Sequence, residues 1–242
     1  MLFDILFGVV SLIGGAIASI AGFGIGSILT PTLATEVGTK LAVSTVSVPH
    51  LSGTIARYAL IWRKTDKTVL LGFGIASAFG GLAGALLHTW FTSVIWSYVL
   101  GILLIFAGAS NLIGFASNMR FGRRVAWIAG LALGLFGGLV GNQGGIRVAA
   151  LFGFGLDKEA FVATGTAIGL VVDAARMSVY LATEWPKIVE HWPYVVVGVA
   201  SVLLGTYGGK LVLRRIPEIL FRQIVGAIIV VLGVLLMVRP TL

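Results

Sequence analysis

Apolar residues run along this chain in stretches of about 20, the length a helix needs to cross the hydrocarbon core of a bilayer. The stretches are Leu2–Ala34, one long segment broken by glycines, then Leu41–Trp62, Thr68–Trp90 and Val94–Phe115. A basic link from Asn118 to Arg124 follows, and then Val125–Phe154 (again broken by glycines), Ala160–Thr183, Trp192–Leu213 and Ile219–Val238. Polar residues gather in the short joints between these runs. The pattern predicts an all-α, polytopic membrane protein with no soluble domain and no long linker. The start, MLFDILFG, carries an acid and no basic stretch, so no cleavable signal peptide is expected.

Composition narrows the class further. Of 242 residues, 58% are hydrophobic and 11% charged, against roughly 25% charged in ordinary proteins. Mean hydropathy is +1.05. Such a chain has too little polar surface to cover a globule. That excludes a soluble domain, a disordered chain, a coiled coil and a nucleic-acid partner, despite a net charge of +8. The absence of cysteine removes disulfides, thiolate metal sites and a cysteine nucleophile. His50, His88 and His191 are too scattered for a metal cluster, and no Ser–His arrangement stands out. No cofactor, no metal and no enzymatic activity are therefore expected.

The two halves resemble each other. Placing Gly22 on Gly141 sets an offset of 119, which also pairs Gly15 with Gly134, Gly26 with Gly145, Thr45 with Thr164 and Arg57 with Arg176. Beyond the next loop the offset is 125, pairing Gly80 with Gly205, Gly84 with Gly209, Gly101 with Gly226 and Gly108 with Gly233. A constant offset that includes an arginine points to duplication, a common feature of secondary transporters. The expected division is a first transmembrane repeat at 1–117, a basic cytoplasmic link at 118–124 and a second repeat at 125–242.

Charge distinguishes parallel from inverted halves, because cytoplasmic joints collect Lys and Arg. With inverted halves and both termini outside, the inside holds Arg63, Lys64, Lys67, Arg120, Arg123, Arg124, Lys158, Lys210, Arg214, Arg215 and Arg222. The outside holds Lys40, Lys187 and Arg239. Parallel halves leave almost no bias. Inversion needs an odd number of crossings per half. Either three full helices after a Gly-broken re-entrant or discontinuous first segment, or five helices, meets that condition. Eight ordinary helices in parallel halves are the competing arrangement.

The first break reads Gly22-Phe-Gly24-Ile-Gly26, and the second Gly141-Asn142-Gln143-Gly144-Gly145, followed by Arg147. Each frees backbone N–H groups and starts a new half-helix, whose N-terminus favours anions. Close packing is the alternative use of these glycines, since Gly22/Gly26 and Gly141/Gly145 are also GxxxG pairs. Gly80/Gly84 and Gly205/Gly209 lack polar neighbours and are assigned to packing. Ionisable groups inside spans are functional-site candidates by default. Arg147 and Arg176 carry planar forks suited to an oxyanion. Asp173, one turn from Arg176, either neutralises it or carries a proton. Arg57 either joins the site or snorkels toward the basic joint at Arg63. Ser44, Thr45 and Ser47, with Thr164 and Thr166 in the second half, either bond their own helices or converge on a ligand. Pro49 and His50 sit mid-span, where a kink would bring the imidazole near the site as a second coupling candidate. Trp62, Trp90, Trp185, Trp192, His88 and His191 fit the interfacial belt.

Two Gly-rich breaks opening two four-segment halves resemble the TauE/SafE family of sulfite and organosulfonate exporters, also called toluene sulfonate uptake permeases. The resemblance rests on Gly22-Phe-Gly-Ile-Gly26 with Pro31, on Gly141-Asn-Gln-Gly-Gly145, and on the hydroxyl-bearing helix after each. It covers nearly the whole chain. Phe23 and Ile25 interrupt the first glycine run, and Asn142 and Gln143 the second, where the family pattern has fuller runs. The resemblance implies movement of small sulfur-containing anions across a bacterial inner membrane. The residues and the resemblance together lead to a secondary transporter for a small oxyanion such as sulfite or a short sulfonate, working in the export direction by alternating access. An anion channel or a carrier of another small organic anion is the alternative. The expected partners are the anion and the bilayer; a monomer and a homodimer both fit.

Overall fold

The computed structural model describes residues 2–37, 39–88, 98, 101–102, 104–106, 108–109, 112–113, 123–140, 144, 147, 150–183 and 185–238. Among these the chain is helical and contains no strand. α1 (Leu2–Ala21) stops at the first glycine break, where Gly22 and Gly24 take φ values of 83° and 136°. These left-handed conformations are open to glycine and strained for residues with a Cβ. α2 (Ile25–Val37) then turns back along α1, with Leu29 against Gly14 and Ile17 against Gly24. The predicted long first segment is thus two helices joined at its glycines.

α3 (Thr39–Ile61) runs unbroken through Pro49. A 3-10 turn at Trp62–Lys64 leads to Asp66, whose Oδ1 accepts the Val69 N–H at 2.9 Å and so caps the next helix. That helix, α4, consists of Lys67–Val69, a π turn at Leu70–Gly74 and Ile75–His88. The described positions between 98 and 112 are helical. α5 (Arg123–Val140) opens the second half. Gly144, Arg147 and Ala150 are helical, a 3-10 turn at Phe152–Phe154 follows, and Gly155 ends it at φ 61°. Asp157 Oδ1 caps α6 (Lys158–Thr183), accepting from Glu159 and Ala160 at 2.9 Å each. α7 (Trp185–Glu190), α8 (Trp192–Arg215) and α9 (Glu218–Val238) complete the chain.

Among the described residues, Leu2–Ala21, Lys67–Gly84 and Trp192–Leu213 are each long and apolar enough to cross a membrane. Ile5, Phe79, Leu86, Phe106, Ile128, Leu204 and Leu211 face outward, as lipid-facing side chains do. Trp62, Trp185 and Trp192 are outward-facing at helix ends, and His191 lies at the α7–α8 turn, in keeping with an interfacial belt. Trp90 and the side chain of His88 lie outside the described residues. One core cluster forms around Phe73, Phe152, Phe161, Ile168 and Phe221. The other forms around Phe7, Ile25, Leu29, Leu33 and Val202.

Glycine sets the helix packing. A Cβ on Gly205 of α8 would run into the carbonyl oxygen of Leu12 in α1, and one on Gly80 of α4 into that of Leu131 in α5. Both glycines act in packing, as the sequence predicts, because only a bare backbone allows this approach. The two contacts correspond under the sequence offsets, and so do Gly15 on Val202 and Gly134 on Ser77. α1 therefore packs on α8 as α5 packs on α4. Gly101 approaches Gly233 while Gly108 approaches Gly226, so α9 runs antiparallel to the helical stretch it covers.

Candidate functional site at the crossing of α3 and α6

α3 and α6 cross antiparallel at the centre of the molecule. Three contacts define the crossing: Ser47 with Met177, His50 with Asp173, and Arg57 with Thr166. Most of the candidate chemistry is here. Arg57 is 3% exposed, and its Nε–H donates to Thr166 Oγ1 at 2.7 Å. It does not snorkel. Thr166 in turn donates to Val162 O at 2.6 Å, one turn back in α6. The Nη1 of Arg57 is buried and has no hydrogen-bond partner among the described residues. A buried donor left open is costly, about 1–3 kcal/mol and more for a charged group. The charges of Arg147 and Asp173 both act on Arg57, so the three groups share one electrostatic neighbourhood.

Arg147 is buried, two residues after the second glycine run. Its guanidinium lies over Gly169 of α6: a Cβ there would sit 3.0, 3.2 and 3.3 Å from Nη2, Cζ and Nη1. His50 Nδ1 lies 2.8 Å from Asp173 Oδ2, joining the two coupling candidates across the crossing. The same imidazole rests against Gly26 in the first turn of α2, 3.3 Å from where a Cβ would stand. The two glycine runs also meet. Phe23, 2% exposed, packs on Gly144, whose Cβ would come within 3.1 Å of that of Phe23. The residue that interrupts the first glycine run thus packs against the second run at Gly144.

The hydroxyl residues divide. Ser44 donates to Leu41 O at 3.0 Å, and Ser47 is placed to donate to Ser44 O or, at 3.7 Å, to Met177 Sδ. Both bond their own helix. Thr164 Oγ1 accepts the Asp66 N–H at 2.9 Å and so anchors the α3–α4 joint. Thr45, which the sequence offset of 119 pairs with it, is 1% exposed, and its Oγ1 has no partner among the described residues. Thr166 is the hydroxyl that touches a cation of the cluster, Arg57. Gly22 and Gly24 form the first break. Gly141, Asn142, Gln143 and Gly145 lie outside the described residues, as does the side chain of Arg176. Gly169 and Met177 carry no signal of their own in the sequence, and Phe23 stands out there only as an interruption of the first glycine run. Offset arithmetic gives a signal for Gly169, since it is the repeat mate of His50. Among the described residues no group of three or more His, Asp or Glu could hold a metal ion.

A helical membrane protein with a cationic cluster buried between its central helices is the class this geometry defines. The model of one family, described as sulfite exporter TauE/SafE, matches residues 6–236. The chain belongs to that family, which is one of membrane transporters. No curated protein matches the sequence.

Proposed function

We propose that the protein is a secondary transporter that exports a small sulfur-containing oxyanion, sulfite or a short organosulfonate, across the inner membrane of a bacterium. The observation that carries this reading is the open, buried Nη1 of Arg57 within the field of Arg147. An ionised group inside a span persists where it has a partner or a ligand. A guanidinium that already gives Nε to Thr166 keeps its remaining donors for a planar or pyramidal oxyanion. Arg147 supplies the second cation, and the amides at the start of α2 supply neutral donors at Gly26. Asn142, Gln143, Arg176 and Thr45 are further candidates to line the same site.

Two repeats of inverted topology would carry the anion by alternating access. In support, α3 packs antiparallel on its own repeat mate α6, and α9 packs antiparallel on its mate at the described helical positions Gly101 and Gly108. Mates that meet antiparallel are related by an axis perpendicular to the helices. In a bilayer such an axis lies in the membrane plane. Rocking one repeat against the other would make and break the Arg57–Thr166 and His50–Asp173 contacts. It would open the site to each side in turn, with His50 and Asp173 positioned to take up a coupling proton.

The test is uptake of labelled sulfite, taurine, sulfate and acetate into proteoliposomes, with and without a pH gradient. Saturable, electrically silent or slowly rheogenic movement of sulfite or a sulfonate is expected. Unitary currents would make the protein a channel, and preference for acetate would overturn the sulfur-anion assignment.

A further inference from the structure

We infer that Gly169 is a positioning residue for the anion site, kept without a side chain so that the Arg147 guanidinium can lie face-on over the α6 backbone. Glycine inside a helix is less favourable than alanine, so a glycine in the middle of α6 needs a reason. In this molecule the usual reason is the approach of another main chain, as Gly80, Gly134 and Gly205 show by their collisions with backbone carbonyls. Gly169 is different. It is buried, and the three heavy atoms nearest its absent Cβ all belong to the Arg147 guanidinium, at 3.0, 3.2 and 3.3 Å. Near-equal distances to Nη2, Cζ and Nη1 mean that the face of the group, rather than its edge, lies over the glycine. The donors in its plane then remain directed sideways.

The repeat offset gives the same answer independently. Gly169 is the mate of His50, and Arg147 is the mate of Ile28. One half pairs an imidazole on the central helix with an aliphatic side chain after the break. The other pairs a bare α-carbon with a guanidinium. The space beside each break thus receives one nitrogen-bearing side chain, delivered from opposite partners. A side chain at both Gly169 and Arg147 would overfill the second space.

This inference rests on Arg147 being an anion ligand, and the test separates the two ideas. Labelled sulfite uptake into proteoliposomes gives KM and maximal rate for the wild type, Gly169→Ala, Gly169→Val, Arg147→Ala and the Gly169→Ala/Arg147→Ala double variant. Displacing the guanidinium by tenths of an ångström should raise KM about three- to tenfold in Gly169→Ala, and the larger valine should raise it further. In the Arg147→Ala background Gly169→Ala should add nothing, a result that a general packing role would not produce. Alanine favours the helix, so the alanine variant carries the test if the valine variant fails to fold. An unchanged KM in Gly169→Ala, or a full additional increase in the double variant, overturns the positioning role. An unchanged KM in Arg147→Ala instead overturns the ligand role of Arg147, and the inference with it.

Discussion

Arg57 and Thr166 hold each other at 2.7 Å across the antiparallel crossing of α3 and α6, and the buried Nη1 of the same guanidinium has no hydrogen-bond partner among the described residues. The hydroxyl therefore orients the cation. Thr166→Val keeps the shape and removes the acceptor. A hydrogen bond of this kind contributes about 0.5–1.5 kcal/mol, so sulfite affinity should fall by about two- to tenfold with little change in maximal rate. Equal losses in rate and affinity would assign Thr166 to folding rather than orientation.

His50 and Asp173 meet at 2.8 Å between the same two helices. If protons move with the anion through this pair, Asp173→Asn should abolish the response of uptake to an imposed pH gradient. Exchange of labelled anion without a gradient should persist. Retention of the full gradient response in Asp173→Asn would remove the pair from coupling.

Gly205 allows α8 to touch the Leu12 carbonyl of α1. Gly205→Ala forces the helices apart, and overpacking of this kind destabilises by about 1–3 kcal/mol or more. Thermal unfolding in detergent should occur at lower temperature, while the KM of whatever folded protein remains should be unchanged. A variant with wild-type melting would mean that the helices separate readily at this point.

The proposed inversion of the halves would place α7 outside and the α8–α9 joint inside. A reporter active only outside the cytoplasm should report when fused at Pro186 and stay silent when fused at Arg215. The reverse pattern at Pro186 would restore eight helices in parallel halves.

Three spans, at Leu2–Ala21, Lys67–Gly84 and Trp192–Leu213, and the first break were legible in the sequence because both are local properties: apolar length sets a span, and glycine at positive φ sets a break. The packing role of Gly80 and Gly205 was legible too, because small residues without polar neighbours have one common use in membranes. The choice for Arg57 between snorkelling and burial was not. It depends on α6 passing antiparallel at the level of Thr166, a contact between residues far apart in the chain. The same crossing brings His50 to Asp173 and sends Thr164 to the Asp66 amide rather than to the site. Hydroxyls two residues apart, on different faces of α6, thus take different roles. Gly169 carries no side-chain chemistry, and its place became visible only with Arg147 lying over it.

The central claim is that the buried guanidinium of Arg57 binds the transported anion, and sulfite affinity measured on purified Arg57→Ala and Arg57→Lys tests it most directly. Hydrogen bonds to charged groups contribute about 1.5–3 kcal/mol, so Arg57→Ala should weaken binding by about 10- to 150-fold. Arg57→Lys should recover only part of the loss, because a point charge lacks the fork. Both variants binding sulfite as the wild type does would contradict the account.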